Sequence, residues 1–412
     1  MSHKRTLITH IGQLCGILNQ HTDQPICGLE MSKERAIENA FLYIEQGIIH
    51  SYGPMHLLPE NGFGAEVETI YAQGKIVMPG FVDAHTHIVY AKSREEEFVD
   101  KLNGLSYADI AAKGGGILNS ARKLQNCSAE ELYDSAMQRL EQMKSLGTCA
   151  VEIKSGYGLT VEAELKMLRV VRKIKETAGI PIKATFLGAH AVPAYVNNRT
   201  EYVQLVINEM LPRVAGEGLA DYCDVFCETG FFTPDETLQI LEAGLKYGLK
   251  PKVHANELDY SGGVQVGTQL GAVSVDHLEC CGEEELNALT QSNTIPVLLP
   301  GTAFYMGLPH PPVRKMINKN LPVAISSDFN PGTCPSGNMP QMWSFACILY
   351  KMLPWEALSA ATQNAAAAIE LSATHGSISK GKKASVIITK KVPSLAYLPY
   401  SFGENWIDRV II

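Results

Sequence analysis

The run Ile76-Val-Met-Pro-Gly-Phe-Val-Asp-Ala-His-Thr-His87 is apolar until it ends in two histidines one residue apart. On a β-strand, residues i and i+2 share a face about 6.6 Å apart, so two imidazoles at this spacing can close on one metal ion. His85 and His87 therefore read as a ligand pair, against the duller possibility that two histidines fall at this spacing by chance. His254 and Asp328 complete a plausible set of three nitrogens and one oxygen, which suits Zn²⁺ or Fe²⁺ better than a hard, oxygen-preferring cation. Such a metal leaves one position open and lowers the pKa of a coordinated water toward about 7, the main requirement for hydrolysing an amide-like bond at neutral pH.

Other residues supply what a metal cannot. Glu257, in His254-Ala-Asn-Glu257, and His277, in Val275-Asp-His-Leu-Glu279, are candidate proton carriers. A solvated helix-start acid and a core histidine are the bland alternatives, and either Glu257 or Asp328 is placed to take the water proton. Arg94, seven residues beyond His87, offers a fork for a substrate carboxylate unless it merely pairs with Glu95–Glu97. Tyr157 lies between Gly156 and Gly158, which predicts a flexible loop carrying its ring. Asn330, Gly332 and Thr333 follow Asp328 in a segment that either orients polar substrate groups or forms a turn.

These residues need elements to position them. From about residue 148, β-rich runs alternate with amphipathic segments: strands are expected at 148–154, 181–190, 221–228, 251–255, 272–278, 295–300 and 322–328, with 76–87 as the first of eight. Between them, 160–175 sets Leu165, Leu168, Val170 or Val171, and Ile174 on one stripe, and Thr233-Pro-Asp-Glu236 supplies an N-cap, a proline at N1 and a capping-box acid. Eight strands each followed by helical sequence imply a parallel (β/α)8 TIM-like barrel, whose reactive residues sit where strands end. His85, His87, Lys154, His190, Glu228, His254, His277 and Asp328 all fall at such ends. The pieces at 40–44, 47–52 and 67–71, and the tail strands at 381–389 and 409–412, predict a small β-sandwich built from both chain ends, with a helical, alanine-rich stretch at 355–371 before the tail. The expected division is 1–75, 76–372 and 373–412.

Of 412 residues, 46% are hydrophobic and 19% charged, enough for a large core. No leader-like apolar core follows Met1, and no membrane-length apolar run occurs, so a cytoplasmic location is the default. The ten cysteines include no C-x-x-C pair and read as reduced. A net charge of −8 with no long Lys/Arg cluster argues against nucleic acid, so an anionic substrate needs a local basic anchor.

The apolar run ending in His85 and His87 resembles the amidohydrolase superfamily. Glu152-Ile-Lys-Ser-Gly-Tyr-Gly158, Thr185-Phe-Leu-Gly-Ala-His-Ala191, His254-Ala-Asn-Glu257, Val275-Asp-His277 and Ser327-Asp-Phe-Asn-Pro-Gly332 together resemble its imidazolonepropionase family. The resemblance implies hydrolysis of 4-imidazolone-5-propanoate to N-formimino-L-glutamate in histidine degradation, with one Zn²⁺ or Fe ion per subunit. It implies that His85, His87, His254 and Asp328 hold the metal, that Arg94, Tyr157, His190, Glu257 and Thr333 meet the substrate, and that Asn330 and Gly332 help hold product-like groups. One departure is Ala384-Ser385, where relatives usually carry an acid after the alanine; it bears on packing of the sandwich.

The alternatives are another cyclic-amide hydrolase or a nucleobase-type deaminase on the same barrel, for which Arg94 and Tyr157 are poorly suited; a two-metal site bridged by Glu228 with His277 as an added ligand; and a barrel that binds metal without catalysis. Pairing through exposed helices as a homodimer is compatible with the fold.

Overall fold

The computed structural model describes residues 5–412 apart from 20–22, 61–62, 64–65, 106–108, 110–112, 194 and 197; the leader reading at Met1–Lys4 lies outside the described residues. Five strands come first: β1 (Arg5–Cys15), β2 (Ala36–Glu45), β3 (Ile48–Pro54), β4 (Glu68–Tyr71) and β5 (Lys75–Pro79). Eight follow: β6 (Phe81–Asp83), β7 (Thr148–Lys154), β8 (Ile182–Ala189), β9 (Tyr222–Cys227), β10 (Lys250–Ala255), β11 (Ser274–His277), β12 (Ile295–Leu298) and β13 (Ala324–Ile325). The chain ends in β14 (Val386–Lys391) and β15 (Ile407–Ile411).

Strands β6 to β13 pair in sequence order as one parallel sheet with helices between them. The sheet closes at its mouth through the functional segments themselves: Asp328 N donates to His85 O at 3.0 Å and His87 N donates to Phe329 O at 2.9 Å. This is the expected (β/α)8 barrel. The 322–328 strand is shorter than expected: only Ala324–Ile325 pair as strand, Ser326 N still donates to Leu298 O, and from Asp328 the backbone bonds toward the first barrel strand. The 295–300 strand is likewise cut at Leu298, since Pro300 begins a helix.

The apolar run at 76–87 is not one strand. At Gly80 it passes from β5, which pairs with β1 and β14, to β6 of the barrel. A side chain at Gly80 would meet Cys149 Sγ at 2.9 Å, so only glycine lets the crossing hug β7. His85 and His87 lie just beyond β6, where extended backbone still sets them on one face.

Both chain ends build the second, mixed sheet, ordered β15-β14-β5-β1-β2-β3 with β4 also beside β1. Its curl brings Ile48 opposite Lys383, and Ile8, Ile11, Leu42, Ile44, Val77, Val386 and Ile388 share one core inside it. This is the sandwich-like unit expected from the two ends. Its central strand β1 escapes the expected β pieces, because Thr9, His10 and Gln13 interrupt the apolar pattern and a bulge between Ile8 and Ile11 shifts the register. The Ala384-Ser385 departure is accommodated: Ala384 N donates to Gly47 O and Ser385 O accepts from Gly80 N, both at 2.9 Å.

The helices follow their sequence signals. Val161–Thr177 is capped by Thr160 and buries Leu165, Leu168, Val170, Val171 and Ile174, each worth roughly 1.5–3 kcal/mol of apolar burial. Pro234–Lys246 starts with the expected Thr233–Glu236 capping box. The alanine-rich stretch is interrupted by a π-helical turn at Ala360–Asn364, where Asn364 bonds Ile26 and the Val323 carbonyl. All ten cysteines are free thiols. Among the described residues no helix is long and apolar enough to cross a membrane.

Candidate active site

Among the described residues, two overlapping groups bring ligand atoms together, His85 with His87 and Asp328, and His85 with His254 and His277, so the four expected ligands lie in one neighbourhood that His277 shares. His87 Nε2 lies 3.3 Å from His85 Nε2 and 3.4 Å from His254 Nε2, and Asp328 Oδ1 lies 3.5 Å from Nε2 of both His85 and His87. Donors about 2.1 Å from a common centre at tetrahedral angles stand about 3.4 Å apart, close to the spacings among His85, His87 and Asp328 and between His87 and His254, so the cluster is able to hold a metal ion. Burial lowers the pKa of His85 and His87 well below the ordinary imidazole value, leaving the neutral rings that a metal requires.

Acids lie beside two of the opposite ring nitrogens, hydrogen-bonded at His85 and in close approach at His254. His85 Nδ1 lies 2.6 Å from Asp276 Oδ2, and His254 Nδ1 lies 3.0 Å from Asp224 Oδ2. A carboxylate there keeps the proton on Nδ1 and frees the Nε2 lone pair. Burial opposes ionisation of Asp224, yet His254 and Lys154 beside it hold its carboxyl below the ordinary range. Asp328 accepts a hydrogen bond from Thr302 Oγ1 at 2.7 Å, while burial pushes its carboxyl up to about 6. Left-handed backbone at Asp328 (φ 53°) and His277 (φ 87°) turns both strand ends at the site, a strain typical of functional positions.

A cavity of about 130 Å³ opens over this cluster, lined by His87, Arg94, Tyr157, His190, Glu257, His277, Asp328, Asn330 and Thr333 among others. Glu257 is buried, and burial together with Asp328 and Glu228 pushes its carboxyl up to about 8. Its Oε2 lies 3.8 Å from His277 Nε2, so the two candidate proton carriers face one another. Neither bland alternative for this pair holds, since Glu257 is not solvated and His277 lines the cavity. Arg94 is only 8% exposed. Its Nε lies 3.7 Å from Glu97, and a Cβ on Gly332 would overlap its guanidinium.

The Tyr157 loop differs from expectation. It is pinned, because Glu164 accepts hydrogen bonds from the backbone N–H groups of Gly156, Gly158 and Leu159 at 2.7–3.1 Å. Gly156, at φ 106°, passes so close to His190 that a Cβ would lie 2.8 Å from its Nδ1. That Nδ1 donates to Gly156 O at 3.0 Å, and the His190 ring stacks on His87. Asn330 spends its amide inside its own loop: Oδ1 accepts from Gly332 and Thr333 N–H, and Nδ2 donates to Asp328 O and Thr333 Oγ1. Its contribution is thus to shape the wall at Gly332 and Thr333. Glu228 accepts from Thr229 and Leu258 N–H, so its carboxylate is engaged by backbone.

Sequence reasoning passed over Asp224, Asp276, Thr302 and Glu164. Acids inside otherwise apolar strands at 222–227 and 274–277, and an acid on the buried stripe of 161–177, were the available signals.

A closed parallel barrel with histidines and an aspartate gathered at its mouth defines the class of amidohydrolase-type hydrolases. Residues 76–412 match the amidohydrolase family. The imidazolonepropionase of Christiangramia forsetii is 51% identical, covering 98% of this chain and 98% of that protein. That of Flavobacterium johnsoniae is 50% identical over 99% and 98%. Among solved structures, Escherichia coli guanine deaminase shares the fold with a TM-score of 0.72 at 16% identity, covering 100% of this chain and 98% of that one. The chain belongs to the imidazolonepropionase family of amidohydrolases.

Proposed function

We propose that this protein hydrolyses 4-imidazolone-5-propanoate to N-formimino-L-glutamate, with His85, His87, His254 and Asp328 holding one zinc or iron ion. The observation that carries this reading is a single cavity with the converging nitrogens on its floor and Arg94, buried, on its wall. A cyclic amide bearing a propanoate tail needs both. The ion, when bound, supplies Lewis acidity toward water and the ring carbonyl.

The remaining work falls to side chains. Arg94, seated on Gly332, pairs with the propanoate, while Tyr157, His190 and Thr333 bound the ring. Glu257, which beside a bound cation would ionise more readily than burial alone allows, takes the proton of the attacking water, and His277 polarises the carbonyl oxygen. Water oxygen ends on the former carbonyl carbon, the ring C–N bond breaks, and the departing nitrogen receives the proton from Glu257. Asp328 is the second candidate for the first proton, since its Oδ2 is tied to Thr302 while Oδ1 faces the histidines. In this reading the barrel of 76–372 carries the chemistry and 1–75 with 373–412 the accessory unit, except that Ile76–Pro79 pair within the accessory sheet. Reaction in the cytoplasm, by a homodimer, completes the proposal.

The test is turnover of freshly prepared 4-imidazolone-5-propanoate by metal-loaded protein, followed by loss of ring absorbance and product mass, with a chelated sample alongside. Chelator-sensitive formation of N-formimino-glutamate is expected. Absence of turnover by metal-loaded protein overturns the reading in favour of a deaminase-like reaction.

A further inference from the structure

Lys154, the last residue of β7, has a side chain with no exposure at all and lines no part of the cavity. Its Nζ lies 2.8 Å from Glu152 Oε1, 2.9 Å from Asp224 Oδ2 and 3.6 Å from Asp276 Oδ2. The two aspartate oxygens it approaches are the same ones that face the ligand histidines: Asp224 Oδ2 is 3.0 Å from His254 Nδ1, and Asp276 Oδ2 is 2.6 Å from His85 Nδ1. One ammonium therefore stands between two carboxylates, each shared with one imidazole.

We propose that Lys154 is a positioning residue for the metal centre: by donating to Asp224 Oδ2 and facing Asp276 Oδ2 as a nearby charge, it fixes the ring orientation of His254 directly and supports that of His85. The proposal rests on the reading of those two histidines as ligands. Its physical basis is that a buried carboxylate keeps its direction only while its oxygens have partners, and Lys154 Nζ donates to Asp224 Oδ2 at 2.9 Å. Loss of Lys154 leaves Glu152 and Asp224 without the ammonium that bonds them, while Asp276 keeps Lys252 at 4.0 Å. An aspartate side chain that turns away from its histidine leaves Nδ1 without its partner, so the ring is free to rotate. Lys252 provides an internal comparison. It is equally buried, but its Nζ is 3.3–3.4 Å from the carbonyls of Ala368 and Ala84 and 4.0 Å from Asp276. Among the described residues it forms no ion pair with Asp224, the acid that faces His254.

The experiment measures metal affinity by chelator competition, and the absorption bands of the Co²⁺-loaded protein, for wild type, Lys154→Met, Lys252→Met and His254→Ala. Removing a partner behind a metal ligand weakens binding by about 10–100-fold, so Lys154→Met should fall in that range with shifted bands, while Lys252→Met stays within about threefold of wild type. Native affinity and bands in folded Lys154→Met, with metal lost in His254→Ala, overturn the proposal alone; so do equal losses in the two lysine variants. Metal retained in His254→Ala overturns the ligand reading instead. Should Lys154→Met fail to fold, Lys154→Met/Glu152→Gln removes the cation and one acid together, and the same criteria apply to it.

Discussion

The guanidinium of Arg94 lies so close to the Cα of Gly332 that no side chain fits between them. One residue opens the helix after the first barrel strand and the other sits beyond the last, so the anchor proposed for the substrate tail is seated by the loop that follows Asp328. Gly332→Ala should therefore displace Arg94 and raise KM by about 10–100-fold, the worth of a charge-assisted hydrogen bond, while metal content stays native. Arg94→Ala should do the same. The double variant should be no worse than Arg94→Ala alone, because the methyl then has room; additive losses in steady-state kinetics would count against the relationship.

His254→Ala and Asp328→Asn should each lose metal and activity together. Elemental analysis of the purified variants beside their turnover rates checks this, and a variant retaining stoichiometric metal would remove that residue from the ligand set.

Glu164 holds three backbone N–H groups of the Tyr157 loop. Glu164→Ala leaves them buried without an acceptor, which should cost about 2–3 kcal/mol in unfolding experiments and raise KM through the displaced Tyr157 and His190. Glu164→Gln keeps one acceptor oxygen and should lose less on both measures. Unchanged KM in both would separate the loop from substrate binding.

Lys382 is buried in the accessory unit, where its ammonium donates to Gln363 Oε1, His375 O and Ser377 Oγ. Burial pushes its pKa down from the ordinary 10.5 to about 8. Between those values the unfolded chain binds more protons than the folded one, so this residue's penalty is full below pH 8 and fades as pH rises toward 10.5. The wild type should thus gain thermal stability relative to Lys382→Met between pH 7.5 and 9.5. A pH-independent difference in Tm would contradict the shift.

The ligands and the barrel were legible because their signals are local. A histidine at a strand end is visible without knowing its neighbours, and Thr233-Pro-Asp-Glu236 declares a helix start by itself. Asp224 and Asp276 were not legible, because nothing nearby in sequence distinguishes an acid that meets His254 from the neighbouring strand, or His85 from across the barrel, from one that is solvated. Tyr157 was misread as mobile for a similar reason: its two glycines are local, whereas the acid that clamps them lies on the next helix. β1 escaped because its polar residues are tolerated only in the sheet that surrounds it, and β13 was overestimated because Asp328 trades strand pairing for a bond to the His85 carbonyl.

The hydrogen bonds that seal the barrel, from Asp328 to His85 and from His87 to Phe329, also set an order of events during biosynthesis. The early ligands emerge from the ribosome long before Asp328, and β5 waits longer still for β14, which pairs Met78 with Ile387. Contacts of such sequence separation form late and slowly. A nascent chain truncated before Asp328 lacks the hydrogen bonds that close the sheet, so the proposed ligand set is complete only once the ring has closed.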